Sequence, residues 1–325
     1  QDCVNCGLCQ KVCPYHAIVY TPVPCENVCP VGAITKDEDG VEHIDESKCI
    51  YCGKCMQACP YGAIMERSKI IDIYKSLANP QRKIVAIPAP AIYGQFNATV
   101  GQVLSAIKQL GFDDVIEVAY GAEVTIANEA EELKEKLHEG QAFMTTSCCP
   151  AYVGWVEKHA AALEPFVSGT RSPMVYAARY AKEVYPDAEV VFIGPCLAKR
   201  YESDNVPEVD YVMSFEELGA FMAAFGVDPS QCSEKTLNEK VTKFGRGFAQ
   251  AAGVRDAVVN TAGTDFSTVT FEGLDKTNQN QLKAMVRKPA AQFVEVMACE
   301  GGCVNGPCSL APLTLAKRQL KKVLQ

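Results

Sequence analysis

No stretch of this sequence approaches the 18 or more consecutive apolar residues of a membrane-spanning helix. Basic excess is missing as well: 31 lysines and arginines stand against 39 aspartates and glutamates, a net charge of −8. Nucleic acid and anionic membranes reward basic patches, so neither is expected as a partner. An acidic chain is better suited to basic or neutral redox surfaces. The first residue is Gln1 rather than methionine, almost directly before Cys3, which leaves room for an upstream segment or a removed targeting peptide. The scattered cysteine pattern of a disulfide framework is absent, although cysteine is abundant. An apolar content of 48% and a charged content of 22% are ordinary for a globular protein. With 325 residues the chain can fold a small domain and a large one, each around its own core.

Seventeen cysteines is an outlier, and those before residue 60 come in runs. Cys3, Cys6, Cys9 and Cys13-Pro14 form C-x2-C-x2-C-x3-C-P, and Cys49, Cys52, Cys55 and Cys59-Pro60 repeat it. Such runs point to metal binding in a reducing compartment, hence a cytoplasmic location. A zinc ribbon would use isolated C-x2-C pairs instead of triplets ending in Cys-Pro. The pattern resembles the bacterial two-cluster ferredoxins, in which each triplet holds one 4Fe–4S cluster and the fourth cysteine reaches across to the other. Between the repeats, Pro24-Cys25-Glu26-Asn27-Val28-Cys29-Pro30 inserts a further C-x3-C-P, similar to a string in the polyferredoxin subunits of molybdenum oxidoreductases. The expectation is Cys49, Cys52, Cys55 and Cys29 for one cluster, and Cys3, Cys6, Cys9 and Cys59 for the other. Cys25 competes with Cys9, and Cys13 with Cys29, because ten N-terminal cysteines are two more than two clusters require.

Residues 66–82 read as an amphipathic linker helix ending near Asn79-Pro80, and beyond it strands and helices alternate. Strands are expected over Lys83–Pro88, Asp114–Ala119, Ala142–Thr146, Ala188–Ile193, Val209–Ser214 and Gln292–Met297. Helices are expected over Val100–Leu110, Thr125–His138, about 151–163, 173–184, Phe215–Phe225, near 246–257 and 278–287, and about 309–323. Residues 226–246 carry few signals and include Cys232, a lone structural thiol in this reading. Strand-then-helix repetition implies parallel sheets covered on both faces.

Three strings lie where predicted strands end: Thr145-Thr146-Ser147-Cys148-Cys149-Pro150, Pro195-Cys196-Leu197-Ala198-Lys199-Arg200 and Met297-Ala298-Cys299-Glu300-Gly301-Gly302-Cys303. Adjacent cysteines in an extended segment point to opposite faces, so one can ligate while its neighbour stays free. Together the strings offer four cluster ligands (Cys149, Cys196, Cys299, Cys303) and a spare thiol, Cys148. Buried structural cysteines would give the same spacing, and spacing leaves both readings open.

The three strings resemble, in order and separation, the three signatures of the iron-only (FeFe) hydrogenases, and the resemblance covers nearly the whole chain. It implies an α+β protein: an N-terminal ferredoxin-like two-cluster domain (1–68), a linker helix (69–82) and an α/β hydrogenase domain of two lobes with parallel sheets flanked by helices (83–325). It implies dihydrogen and protons as substrates, a ferredoxin or similar one-electron carrier as partner, and maturation proteins that install the active centre. That centre, the H-cluster, is a 4Fe–4S cubane held by Cys149, Cys196, Cys299 and Cys303. Cys303 also bridges to a two-iron unit bearing carbon monoxide, cyanide and an aza-dithiolate. Lys199 matches the lysine that pairs with a cyanide, Ala89-Pro90-Ala91 the loop approaching the other, and Met297 a methionine lining the site.

Heterolytic splitting of dihydrogen releases a proton that must reach water. The resemblance places Cys148, Glu129, Ser168, Glu132 and Lys136 along that route. Glu129, Glu132 and Lys136 also fall at i, i+3 and i+7 on one helix face. A solvated face with a Glu132–Lys136 pair worth roughly 0.2–0.5 kcal/mol would show the same spacing. The chain departs from the family at Ala91, where serine is frequent, at Met174 for glutamine, and at Gly194 for methionine. After Cys303 it reads Val304-Asn305-Gly306-Pro307-Cys308 instead of a glycine run, and Glu300 and Cys308 are expected as extra polar groups beside the site. These features are similar to the variant subgroup often called group B. Two other readings are an iron–sulfur assembly protein without the two-iron unit, against which Cys148 and Lys199 speak, and a dihydrogen sensor, which would carry an added signalling domain.

Overall fold

The computed structural model describes residues 8–15, 17–18, 23–238, 240–263 and 265–325. The expectations for Cys3 and Cys6 fall outside these residues.

The N-terminal part is built from short pieces: α1 (Leu8–Val12), α2 (Pro24–Val28), the antiparallel pair β1 (Ile34–Lys36) and β2 (Glu42–Ile44), and α3 (Lys54–Ala58). The linker helix is α4 (Ile70–Leu77), with Ile73 fully buried and Ile71 and Tyr74 exposed. Next come β3 (Ile84–Pro88), α5 (Val100–Gln109), β4 (Asp114–Val115), α6 (Val118–His138), β5 (Met144–Thr145), α7 (Pro150–His159), α8 (Pro173–Val184), β6 (Glu189–Gly194) and α9 (Ala198–Ser203). The chain continues through β7 (Tyr211–Ser214), α10 (Phe215–Phe225), α11 (Lys243–Gly247), α12 (Gly253–Ala262), β8 (Thr268–Glu272), α13 (Lys276–Met285), β9 (Phe293–Met297) and α14 (Leu313–Val323).

Two parallel sheets organise the larger part. One has the order β4-β3-β6-β7, the other β5-β9-β8. Every residue of β3 and β9 is buried, as expected for parallel strands covered on both faces. The α10 start carries a local signature: the Ser214 hydroxyl accepts the Glu217 N–H while the Glu217 carboxylate accepts the Ser214 N–H. Among the described residues no helix is long and apolar enough to cross a membrane.

Three expectations need correction, and the first is the helix near 246–257, which is instead α11 and α12 parted by a turn at 248–252. The strand expected over Asp114–Ala119 is only Asp114–Val115, and the helix expected from Thr125 starts at Val118. Val115, Ile116 and Val118 suit a strand, but only Asp114 and Val115 pair with β3, and from Val118 the chain is helix packed against α8. Gly121 lies so close to α8 that a Cβ there would sit 2.1 Å from the Pro173 carbonyl oxygen. Strand β8 fell in a span given no element; it lies at the edge of its sheet and is only partly buried, so its apolar signal is weak.

The N-terminal part is docked firmly. The Lys158 ammonium donates to the Glu46 and Cys49 carbonyls (2.9 and 2.7 Å), and Gln279 Nε2 donates to the Pro30 carbonyl at 2.9 Å. Tyr51 stacks on Tyr201 with ring centroids 4.5 Å apart. Arg200 forms ion pairs with Glu66 at 3.0 Å and Glu217 at 2.7 Å, and the Ser68 hydroxyl donates to Glu217.

Candidate active site

The C-terminal ends of β3 and β6 in one sheet meet those of β5 and β9 in the other, which is where open parallel sheets place their sites. Between them lies an apolar cavity with about 850 Å³ of space free of protein atoms, part of it reaching solvent. Cys148, Cys149, Cys196, Cys299 and Cys303 all border it, as do Ala89, Pro90, Ala91, Lys199 and Met297.

Local sequence explains how each group is delivered. Past β5, Tyr152 donates to the Thr145 hydroxyl at 2.8 Å and the Thr146 hydroxyl accepts the Val296 N–H at 3.1 Å, locking the segment before Cys148 to the neighbouring elements. Cys149 is the extended residue preceding α7, and Pro150 opens that helix without loss of a hydrogen bond. The Cys308 N–H caps the Pro195 carbonyl at 3.0 Å, holding the Cys196 turn. Between Cys299 and Cys303 the backbone turns through Gly301 (φ +82°) and Gly302 (φ +91°), and a Cβ on Gly302 would lie 2.6 Å from the Ala251 nitrogen. Glu295, fully buried on β9, accepts the Ala252 and Arg255 N–H groups, both at 2.7 Å, and so fixes the start of α12.

The donor set fits an iron–sulfur cubane. Burial pushes the Cys196 and Cys303 thiols up to about 12, and it raises Cys299, with the neighbouring cysteines adding to each shift. Bare thiols there stay protonated at neutral pH; metal ligation requires the thiolates and supplies the compensating charge. Among the described residues no three His, Cys, Asp or Glu side chains are placed to hold a single metal ion. A cubane takes four thiolates, and four cysteines bordering one cavity are the donor set it needs.

Lys199 is buried, with its ammonium donating to the Ser172 hydroxyl at 2.8 Å and paired with Glu202 at 2.5 Å. Burial presses it down, but Glu202 and the nearby thiols outweigh burial and raise it above the ordinary lysine value, so it is a cation at the cavity wall. Ser172 in turn donates to Glu202 at 2.6 Å.

Behind Cys148 runs a polar string. Glu129 is fully buried; its Oε1 accepts the Ser147 N–H at 3.3 Å, and its Oε2 has no hydrogen-bond partner among the described residues. Burial pushes its carboxyl up to about 8 despite the hydrogen bond from the Ser147 N–H. The Ser168 hydroxyl donates to Glu132 at 2.5 Å, and Glu132 pairs with Lys136 at 2.9 Å. Burial would raise Glu132, but donors from Gly169, Ser168, Lys136 and Thr170 together lower it, keeping it ionised. Burial, with Glu129 nearby, raises Cys148. A solvated helix face is ruled out at Glu129, which has no exposed surface.

Other residues are placed differently from expectation. Glu300 is exposed and Cys308 is buried behind the Cys196 turn, directed at the Glu66 carboxylate at 4.0 Å; neither borders the cavity. Where the family often has methionine, Gly194 leaves room for the Phe192 ring, which a Cβ would meet at 2.5 Å. Cys52, from the ferredoxin-like part, borders the same cavity, which spacing along the chain had not suggested. Sequence reasoning also missed Glu202, which stands three residues after Lys199 on the same helix, and Ser172 and Thr170, for which no signal existed. In the N-terminal part, Cys29, Cys49, Cys52 and Cys55 bear on one another electrostatically, and burial pushes Cys52 up to about 11. Cys25 is buried, Cys9 exposed, and Cys13 partly exposed.

Over residues 82–307 the sequence matches the family described as iron only hydrogenase large subunit, C-terminal domain, and over 1–19 and 42–65 the 4Fe-4S binding domain. It is 25% identical to iron hydrogenase 1 of Clostridium pasteurianum, across 80% of this chain and 56% of that protein. It is 29% identical to the periplasmic Fe hydrogenase large subunit of Nitratidesulfovibrio vulgaris, across 94% of this chain and 83% of the relative. It is also 22% identical to the cytosolic Fe-S cluster assembly factor narfl of Danio rerio, across 80% of each. The chain thus spans just over half the length of the first relative. A solved variant of the FeFe-hydrogenase HydA1 from Chlamydomonas reinhardtii shares the fold, with a TM-score of 0.66 at 22% identity, covering 79% of this chain and 88% of that one.

Proposed function

The chain belongs to the iron-only hydrogenase family, and on that premise we propose that it interconverts dihydrogen with protons and electrons. The observation that carries this reading is the convergence of five cysteines from three distant strand ends on one apolar cavity. Cys149, Cys196, Cys299 and Cys303 would hold the cubane, and the two-iron unit would occupy the cavity they border. When bound, that assembly supplies the redox metal at which dihydrogen is split heterolytically.

The protein's own groups do the rest. Lys199, steadied by Ser172 and Glu202, offers an ammonium to an anionic ligand at the wall. Ala89-Pro90-Ala91 and Met297 enclose the site with apolar surface and keep water from it. Glu129, protonated at neutral pH, releases its proton outward and takes the next from Cys148 on an Oε2 that has no other hydrogen-bond partner among the described residues, and Cys148 is reprotonated by the proton leaving the cavity. Ser168, Glu132 and Lys136 carry it outward. Residues 1–68 would act as a two-cluster electron-transfer domain, 69–82 as its linker and 83–325 as the catalytic domain. A cluster on Cys29, Cys49, Cys52 and Cys55 would stand beside the active centre, because Cys52 borders the same cavity. The exchange partner would be a ferredoxin or similar one-electron carrier in the cytoplasm, and maturation proteins would load the two-iron unit.

The likeness to assembly factors favours a second reading, in which the chain keeps the cubane and carries no two-iron unit. Lys199 and Cys148 at the cavity support the first. Infrared spectra of protein produced with maturation factors decide between them. Bands of metal-bound carbon monoxide and cyanide, followed by dihydrogen evolution from reduced viologen, are expected. A fully loaded cubane with no such bands would establish the assembly reading instead.

A further inference from the structure

Two segments of the N-terminal part repeat each other in backbone as well as in sequence. Cys25-x3-Cys29-Pro30-Val31-Gly32-Ala33-Ile34 parallels Cys55-x3-Cys59-Pro60-Tyr61-Gly62-Ala63-Ile64. In each, a five-residue helix ends on a cysteine in extended backbone: Cys29 at φ −70°, ψ 113° and Cys59 at φ −77°, ψ 108°. Each of these sulfurs accepts the N–H of the alanine four residues on, at 3.2 Å for Cys29 and 3.3 Å for Cys59. Each carbonyl accepts the N–H of the following glycine at 3.4 Å, and both glycines have φ +61°.

The two units pack helix against helix, and the relation is reciprocal. Cys29 of the first bears on Cys55 of the second, and Cys59 of the second bears on Cys25 of the first. A local two-fold exchange produces that pattern. Cys55 is the third cysteine of the set that Cys29 completes. The same exchange gives Cys25 the third place in the set that Cys59 completes.

On the reading that this part holds two 4Fe–4S clusters, we propose that Cys25, and not Cys9, is the third-position ligand of the cluster that takes Cys59. Cys25 is 7% exposed and Cys9 lies on the surface, so only Cys25 is shielded as a cluster thiolate needs to be. In the first unit the positions matching Cys49 and Cys52 are Val19 and Pro22, so the two remaining ligands come from the cysteines at 3–13.

The test uses the full chain, reconstituted anaerobically with iron and sulfide, in wild-type, Cys9→Ala, Cys25→Ala and Cys25→Asp forms. Iron per chain is read together with the electron paramagnetic resonance of the reduced protein. Cys25→Ala is expected to lose about four irons, or to convert one cubane to a three-iron form, while Cys9→Ala matches wild type. Cys25→Asp, which keeps an oxygen ligand, is expected to shift the signal of one cluster, and this decides the matter if the alanine variant fails to fold. Wild-type iron and spectra in Cys25→Ala, or an unshifted spectrum in Cys25→Asp, overturn this assignment alone. A wild-type chain that takes up no cluster outside the active-site cavity overturns the two-cluster reading as well.

Discussion

Glu129 is the residue on which proton movement turns. It is fully buried, and its carboxyl is pushed up to about 8 from 4.5. At neutral pH it therefore holds a proton that it can release, as a relay member needs. Glu129→Gln keeps the shape and removes the titration; we expect dihydrogen turnover to fall by about 10²–10⁴-fold with iron content unchanged. Cys148→Ala should do the same, and near-normal rates in either variant would remove the relay. The raised carboxyl also makes a stability prediction. The folded state binds this proton more tightly than the unfolded chain, so its contribution is complete below 4.5 and is lost as pH rises through about 8. Thermal unfolding of wild type should fall across that window, with a flatter slope in Glu129→Gln. At Lys199, substitution by methionine leaves the mostly buried Glu202 carboxylate without its cation. We expect a drop in melting temperature together with poorer retention of the two-iron unit.

Among the elements, the crossing of α6 over α8 matters most, because α6 carries Glu129, Glu132 and Lys136 while α8 brings Met174 to the cavity. Gly121 sets their separation. Gly121→Ala adds a Cβ 2.1 Å from the Pro173 carbonyl oxygen, so the helices must move apart. Overpacking of this kind typically costs about 1–3 kcal/mol, and urea unfolding should register it. Turnover should fall as well, since the polar string moves with α6; an unchanged rate in a destabilised variant would show that the string tolerates displacement.

For the whole molecule, the joint between the N-terminal part and the larger one is held by a compact charge cluster. Arg200 pairs with Glu66 and Glu217 and donates to the Arg67 carbonyl, and the three charged side chains are only 9–14% exposed. Removing the cation in Arg200→Ala leaves two carboxylates facing each other in a poorly hydrated place. Faster proteolysis near residues 66–69 and slower electron delivery from an external carrier are expected, with the active-site infrared bands unaltered. Equal proteolysis rates in the two proteins would show that stacking of Tyr51 on Tyr201 and the Lys158 contacts suffice for docking.

Residue order by itself determined what depends on neighbours along the chain. The cysteine runs, the strings at 145–150, 195–200 and 297–303, the capped start of α10 and the alternation that yields parallel sheets are local signals, read within a few turns of backbone. Only the tertiary structure decided which distant groups meet. It brought Cys52 to the cavity of Cys149 and Cys196, placed Glu300 and Cys308 outside it, and buried Glu129 with an oxygen left open. It also ended the strand at Val115 and made 118–119 the start of α6, which packs against α8 so closely that Gly121 has no room for a Cβ. Those outcomes follow from how two sheets and their helices share volume, and no spacing within a single segment encodes that.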